Sequence, residues 1–128
     1  MNLLLDTHLL LWAATSGLPA KAKTLVTDTQ NALYFSAASI WEVAIKASLG
    51  RDDFRADPHI LRRGLLENGY IEVPITSEHA AAVSALPNLH KDPFDRILVA
   101  QAQNEGLVLL TADTMVAAYP GPIEFVSG

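Results

Sequence analysis

Residues 3–14 read LLLDTHLLLWAA, an apolar run that is interrupted only by Asp6, Thr7 and His8. The run is too short to span a bilayer and no basic segment precedes it, which argues against a signal peptide. We therefore interpret it as a buried strand, Leu3–Asp6, that leads directly into a helix, Thr7–Ala14. On this basis we expect a soluble, cytoplasmic protein that does not interact with membranes.

The same succession of strand and helix continues along the chain. Further strands are predicted at Ala32–Ser36, Tyr70–Val73, Leu107–Thr111 and, at an edge, Ile123–Val126. Further helices are predicted at Pro19–Asp28, Ala38–Leu49, Pro58–Glu67, Ser77–Leu86 and Asp92–Glu105. Such alternation predicts an α/β fold with a central, mostly parallel sheet flanked by helices in three layers. With no repeat or linker in the sequence, we expect residues 1–128 to form a single domain.

The composition excludes several kinds of chemistry. The chain has no cysteine, so disulfides, thiolate catalysis and Cys-ligated zinc are ruled out, and a reducing cytoplasm fits this composition. Hydrophobic residues make up 50% of the chain and charged residues 18%, which favours self-association or a permanent partner. The net charge of -5 argues against tight non-specific binding of nucleic acid. Bound divalent cations would offset most of that charge, so an RNA substrate remains compatible with it.

Four acidic residues are predicted to converge at one edge of the sheet. Asp6 ends the first strand, and Asp113 follows the Leu107–Thr111 strand by two residues. Glu42 and Asp95 lie in the opening turns of two predicted helices. In a parallel sheet the strand ends and the starts of the following helices share one edge, which is where functional groups gather.

Each of these acids also has a structural explanation. Asp6 and Asp113 could cap the helices that follow them, the second of these being a short helix from residue 114 to residue 119. Ser39 and Glu42 match a capping box, and Glu42 is also well placed for an i,i+4 ion pair with Lys46. For these acids the sequence leaves the structural and the functional interpretation open.

Asp95 is harder to explain structurally, even though Asp92 and Pro93 form a plausible start for its helix. Its neighbours on the same side of the helix are apolar, namely Leu98, Val99 and Ala102. A carboxylate in such surroundings is costly to bury unless a cation neutralises it, and Asp6 has the same problem. Only two basic residues, Lys46 and Arg96, lie close in sequence to any of the four acids. A metal ion is therefore indicated.

The available ligands narrow the choice of metal. A set of carboxylate oxygens favours Mg²⁺, with Mn²⁺ as a plausible substitute, over Zn²⁺. The histidines are scattered without ligand spacing and are interpreted as surface or helix residues; they are His8, His59, His79 and His90. The sequence contains no phosphate-binding glycine loop, dinucleotide fingerprint or serine-hydrolase motif.

Four ordered segments resemble the PIN-domain ribonucleases, in particular the VapC-type toxins of VapBC toxin–antitoxin pairs. They are Leu-Leu-Leu-Asp6-Thr7-His8, Ser39-Ile-Trp-Glu42-Val-Ala-Ile-Lys46, Asp92-Pro-Phe-Asp95-Arg96-Ile-Leu-Val-Ala-Gln-Ala102 and Leu-Leu-Thr111-Ala-Asp113. No segment is specific by itself, but their order and spacing within a small α/β domain are. The resemblance covers nearly the whole chain and implies a PIN-like fold.

The resemblance implies a Mg²⁺-dependent endoribonuclease that hydrolyses RNA phosphodiester bonds with a metal-activated water. Asp6, Glu42 and Asp95 match the core metal ligands, and Asp113 matches a fourth acid that often acts through water. Four further residues are candidates for substrate binding near the site, namely Thr7, Lys46, Arg96 and Thr111.

The resemblance also implies protein partners. Such toxins usually form homodimers and are held inactive by a VapB-type antitoxin that lies across an apolar groove near the site. We expect this surface on the first helices and on the helix that carries Trp41. The residues singled out on the first helices are Leu9, Leu10, Trp12 and Leu18.

Two other functions compete with this interpretation. A non-catalytic PIN-like module would bind a partner or RNA, with its acids serving only the fold. Another acid-cluster phosphohydrolase or a response-regulator receiver fits less well. The hydrolase would need a second acid two residues after the first, where this chain has His8, and the paired acids and the lysine of a receiver are not evident.

Overall fold

The computed structural model describes residues 1–126, which contain a five-stranded sheet and seven α-helices. The strands are β1 (Asn2–Leu5), β2 (Ala32–Ser36), β3 (Ile71–Val73), β4 (Val108–Thr111) and β5 (Ile123–Phe125). The helices are α1 (Thr7–Ala14), α2 (Ala20–Thr27), α3 (Ala37–Ser48), α4 (Pro58–Glu67), α5 (Ser77–Ala82), α6 (Pro93–Glu105) and α7 (Thr114–Ala117). Residues 127 and 128, which we included in the expected domain, lie outside the described residues.

The first strand lies at the centre of the sheet, whose strand order is β3-β2-β1-β4-β5. All pairings among the described strands are parallel, and Leu3 of β1 lies in register with Leu33 of β2 and Val108 of β4. A central parallel strand is covered on both faces, which explains why β1 is apolar at successive positions. The predicted parallel sheet is thereby confirmed.

The two faces of the sheet have separate apolar cores. Leu3 and Leu5 belong to a cluster with residues of α1, α2, α3 and α4, whereas Leu4 belongs to a cluster with residues of α6 and α7. Successive side chains of a strand point to opposite faces, so this division follows from the geometry of β1. The arrangement confirms the predicted three-layer α/β/α fold.

The connections reverse direction beside the central strand. From β1 the chain adds β2 and then β3 on one side, and it then crosses over to add β4 and β5 on the other side. The carboxyl ends of β1 and β4 therefore border the point at which the strand order reverses. In open parallel sheets this is where ligands bind.

One predicted helix is shorter than expected. The segment predicted as Ser77–Leu86 is α-helical only to Ala82 and continues as a 3₁₀ turn, Val83–Ala85, before Pro87. Pro87 drives Leu86 out of the helical region, so the segment leaves helical conformation before the predicted last residue. The longest described helix, α6, has 13 residues. None of the helices within residues 1–126 is long and apolar enough to cross a bilayer.

Candidate metal centre

Asp6 lies at the carboxyl end of the central strand and is 4% exposed. Its Oδ1 accepts a hydrogen bond from the Leu9 amide at 2.9 Å and so caps α1. Its Oδ2 accepts a hydrogen bond from Thr111 Oγ1 at 2.6 Å, which joins the ends of β1 and β4. Burial raises the pKa of Asp6, the two hydrogen bonds partly oppose that effect, and the charge of Asp113 adds to it.

Asp113 is held beside Asp6 through the same threonine. The Asp113 amide donates to Thr111 Oγ1 at 3.0 Å, and Asp113 Oδ1 caps α7 by accepting from the Met115 amide at 2.8 Å. The capping role considered from the sequence is therefore present. Only one of the two carboxylate oxygens takes part in it.

Glu42 projects from α3 into the interior and is 2% exposed. Thr7 Oγ1 donates to its Oε1 at 2.7 Å, and Lys46 Nζ donates to its Oε2 at 2.6 Å. The predicted i,i+4 pair is therefore present. Each oxygen of Glu42 is therefore held by one hydrogen bond, Oε1 from Thr7 of α1 and Oε2 from Lys46 of α3.

The predicted capping box of α3 is wrong. The helix is capped by Ser36, whose Oγ accepts from the Ala38 amide at 3.0 Å. Ser39 lies inside the first turn instead, with its Oγ 2.9 Å from Thr7 Oγ1. Glu42 therefore does not cap α3, and its two oxygens accept hydrogen bonds from Thr7 and Lys46 instead.

Lys46 lies between two carboxylates, with Nζ 2.6 Å from Glu42 Oε2 and 3.4 Å from Asp92 Oδ2. The ammonium group also lies over the rings of Phe54 and Phe94, at 4.7 and 5.6 Å from their centroids. Burial alone would lower the pKa of Lys46, but the hydrogen bond to Glu42 and the charges of Glu42 and Asp92 raise it. In this state the ammonium group neutralises Glu42.

Asp95 lies in the first turn of α6, which Asp92 caps by accepting from the Phe94 amide at 2.8 Å. His90 Nε2 lies 2.8 Å from Asp95 Oδ2. One ligand atom each of His90, Asp95 and Asp113 lies within 4.8 Å of the other two. Burial, together with the nearby charges of Asp92 and Glu42, raises the pKa of Asp95 to about 7.

Three of the four residues expected to bind substrate support the site from within. Thr7 and Thr111 are 2% and 0% exposed, and their hydroxyls donate hydrogen bonds to Glu42 and Asp6. The Arg96 guanidinium donates to carbonyl groups in the segment 83–90 and to Tyr119 Oη. The polar groups of these three side chains already have partners within the protein, and their contact with a substrate stays a prediction.

The four predicted acids are linked through neighbours: Thr111 joins Asp6 to Asp113, and the charge of Glu42 acts on Asp95. Among the described residues, the group whose ligand atoms lie within 4.8 Å of one another consists of His90, Asp95 and Asp113, and it does not include Asp6 or Glu42. Within residues 1–126, lysine and arginine nitrogens lie within 4.0 Å of Glu42 but not of Asp6, Asp95 or Asp113. Asp6 is buried and Asp95 is half-buried without such a partner, which fits a bound cation, whereas Asp113 is exposed. A set of carboxylate oxygens fits Mg²⁺ or Mn²⁺.

Comparison with protein families gives a match over nearly the whole chain. The PIN domain family matches residues 3–122. The chain belongs to the PIN domain family. A comparison with curated protein sequences found no significant match.

Three solved structures share the fold of this PIN domain. VapBC2 from Rickettsia felis bound to a promoter DNA fragment has a TM-score of 0.74, with 14% identity over 98% of both chains. A toxin–antitoxin complex from Klebsiella pneumoniae has a TM-score of 0.62, with 22% identity over 94% of both chains. VapBC-1 from nontypeable Haemophilus influenzae has a TM-score of 0.60, with 16% identity over 91% of this chain and 90% of that chain. At these identities the similarity is one of fold.

His90 is the residue of the PIN domain site that the sequence did not indicate. It was interpreted as a surface or helix histidine, yet its side chain is 18% exposed and contacts Asp95. It lies five residues before Asp95, a distance that matches no ligand motif. The contact depends on the path of the segment that precedes α6, which the sequence pattern does not specify.

The surfaces expected to bind a partner also need correction. Leu9 and Leu10 are fully buried in the core of the PIN domain, so they are not available for docking. Trp41, by contrast, is 59% exposed and packs edge-on against Phe94, with ring centroids 5.2 Å apart. Trp41 is thus a surface residue that connects α3 with the first turn of α6 and is not part of the core.

Proposed function

We propose that the chain is a Mg²⁺-dependent endoribonuclease that cleaves RNA in the cytoplasm as the toxin of a toxin–antitoxin pair. The observation that supports this proposal is a linked group of acids beside the point where the strand order of the sheet reverses: Asp6 and Asp113 share Thr111, Asp113 lies near Asp95, and the charge of Glu42 acts on Asp95. Three of these four acids have no lysine or arginine partner within the described residues. Mn²⁺ is expected to substitute for Mg²⁺.

In this proposal Asp6, Glu42 and Asp95 would hold the cation, and Asp113 would assist them. A bound divalent cation supplies an acidified water and charge stabilisation at the phosphodiester. Thr111 and Thr7 keep Asp6 and Glu42 oriented, so these carboxylates need little rearrangement when the site is filled. Lys46 would have to give up part of its contact with Glu42.

The choice of RNA rests on the resemblance to PIN-domain ribonucleases. The carboxylates favour phosphodiester hydrolysis in general, which by itself does not select RNA over DNA. The preference for RNA is tested by offering the chain an RNA and a DNA of the same nucleotide sequence.

A cleavage assay tests the proposed activity. The purified chain is incubated with end-labelled RNA and with DNA of the same sequence, in Mg²⁺ or Mn²⁺, with and without EDTA. We expect cleavage of RNA that depends on metal, and a loss of at least about 100-fold in Asp6→Asn and Asp95→Asn. Glu67→Gln removes an exposed carboxylate of α4 and is the matched control.

The outcomes of this assay separate the alternatives. Cleavage that persists in EDTA or in both site variants would exclude a metal-dependent nuclease. Metal binding without cleavage of either nucleic acid would favour the non-catalytic binding module. Equal cleavage of RNA and DNA would contradict the proposed substrate and leave the metal centre intact.

We also propose that the chain forms a homodimer and is inhibited by a VapB-type antitoxin. A groove of about 1000 Å³ lies between the α1–α2 connection and α4, and Ile60 in it is 64% exposed. Its apolar lining includes Leu18, Val26, Ile60, Leu61 and Tyr70. A partner segment with apolar side chains would cover this surface.

The partner is tested by co-expression with the small protein encoded by the neighbouring gene. Ile60→Asp is expected to release inhibition by that protein without changing RNA cleavage by the free chain. If Ile60→Asp stays fully inhibited, the antitoxin does not use this groove. Light scattering of the free chain should give the mass of a dimer, and a monomer at all concentrations would refute self-association.

A further inference from the structure

His90 is attached to the carboxylate site by a contact between the segment that precedes α6 and the first turn of that helix. Its Nε2 lies 2.8 Å from Asp95 Oδ2, and the side chains of the pair are 18% and 16% exposed. An ionised carboxylate can only accept hydrogen bonds, so the imidazole donates through Nε2 when Asp95 is charged. The contact therefore orients Oδ2 of Asp95 and leaves the lone pairs of Oδ1 without a hydrogen bond from the described residues.

The backbone of His90 is fixed by Tyr119, which is 4% exposed. Tyr119 Oη accepts from the His90 amide at 2.9 Å and donates to the His90 carbonyl at 3.1 Å. It also accepts from Arg96 at 3.0 Å. A phenol hydroxyl has one proton and two lone pairs, so these three bonds use its full capacity.

Arg96 holds the segment that leads to His90. Its guanidinium donates to the carbonyl groups of Val83 at 3.1 Å and Pro87 at 2.9 Å. Since Arg96 is next to Asp95 on α6, the helix that presents the carboxylate also anchors the segment that presents the imidazole. The distance between His90 and Asp95 is therefore set by the fold and not by a mobile loop.

We propose that His90 is a positioning residue of the metal centre, which holds the Asp95 carboxylate in the orientation that a divalent cation requires. The inference rests on the proposed function, because it assumes that Asp95 binds metal. Partners of this kind orient the ligands of many metal sites, and their loss weakens metal affinity by about 10- to 100-fold. His90→Ala should show a loss of this size.

Calorimetric titration of the RNA-free chain with MgCl₂ and with MnCl₂ tests the proposal. The variants are His90→Ala, His90→Gln and, as matched control, His59→Ala, which truncates an exposed histidine of α4. A glutamine amide can place an N–H near the position of the imidazole Nε2. We expect His90→Ala to weaken both metals about 10- to 100-fold, His90→Gln to recover most of the affinity, and His59→Ala to match the wild type.

Thermal unfolding in EDTA checks that each variant is folded before it is titrated. If His90→Ala does not fold, Tyr119→Phe takes its place, because it removes the hydroxyl that holds the backbone of His90 and keeps the imidazole. Tyr119→Phe should weaken the affinity for both metals, and an unchanged affinity would contradict the proposal. Unchanged affinity in a folded His90→Ala would overturn the proposal, as would a His90→Gln variant no better than alanine. A loss confined to Mn²⁺ would also overturn it, since that pattern indicates that the imidazole itself binds the metal. A wild type that binds neither metal would refute the proposed metal centre itself, which separates that failure from this one.

Discussion

Raising the pH from about 6 to about 8 without divalent metal should destabilise the chain through Asp95. Burial and the charges of Asp92 and Glu42 raise the pKa of this carboxyl from its usual 3.8 to about 7 in the folded state. A group with a raised pKa contributes its full stability at low pH and loses it as the pH passes through the folded-state value. Asp6, whose pKa burial also raises, acts in the same direction.

The size of the effect follows from the proton balance. Asp95 is mostly protonated in the folded chain at about pH 6 and mostly ionised at about pH 8, whereas in the unfolded chain it is ionised throughout. The interval corresponds to about one pH unit of differential proton binding, or about 1 to 2 kcal/mol in the free energy of unfolding. For a domain of this length the melting temperature should fall by roughly 5 °C.

Thermal unfolding in EDTA across this pH range measures the effect. Asp95→Asn resembles the protonated carboxyl, so its melting temperature should lack this part of the decline, while Glu67→Gln should keep it. The same comparison in a His90→Gln background removes any contribution from the imidazole. Added Mg²⁺ should reduce the decline in the wild type, because cation binding requires the ionised carboxylate.

The reasoning would be refuted by parallel curves. If the wild type and Asp95→Asn lose stability equally between about pH 6 and about pH 8 in EDTA, ionisation of Asp95 does not destabilise the folded chain, and its pKa is not raised as its burial implies. The site would then have to be neutralised by groups other than those described above.

Three further perturbations have expected outcomes. Lys46→Met leaves Glu42 buried without its cation and should cost about 3 kcal/mol by chemical denaturation in EDTA, with a larger rise in melting temperature on adding Mg²⁺ than the wild type shows. Thr111→Val keeps the side-chain shape but removes the hydroxyl that Asp6 accepts from, so we expect a cost of about 1 to 3 kcal/mol and weaker Mg²⁺ binding in titration calorimetry. Gly106→Ala places a Cβ at a φ of 67° at the end of α6 and should cost about 1 kcal/mol, with metal-dependent cleavage unchanged. Each prediction would be contradicted by one result: a Lys46→Met variant as stable as the wild type, a Thr111→Val variant with unchanged stability and Mg²⁺ affinity, or a Gly106→Ala variant without cleavage activity.

The fold could be predicted because its central strand has a strong signal. Residues 3–5 are leucines buried on both faces of the sheet, and Asp6 marks the end of the strand. The helix Pro58–Glu67 begins and ends at the predicted residues, with Asp57 capping it and proline in its first turn. The break after Ala82 was missed because the apolar pattern continues through the 3₁₀ turn.

The site was predictable where the topology of a parallel sheet fixes position, as for Asp6 and Asp113 at neighbouring strand ends. It was not predictable where distant segments meet. Ser36 caps α3 because the helix begins at Ala37, and Ser39, which lies inside the first turn, contacts Thr7 of another helix instead. His90 reaches Asp95 because hydrogen bonds from Tyr119 and Arg96 hold the segment that precedes α6.

Capping and metal binding, which the sequence presented as alternatives, are compatible at the same carboxylate. An ionised carboxyl group has about four lone-pair positions on its two oxygens, and a cap uses one of them. Asp113 caps α7 through Oδ1 alone, and Asp6 accepts one hydrogen bond on each oxygen. Each acid therefore keeps positions for a cation while its hydrogen bonds fix the direction in which those positions point. The bonds that favour a structural role in the sequence are the ones that would orient these acids toward a metal.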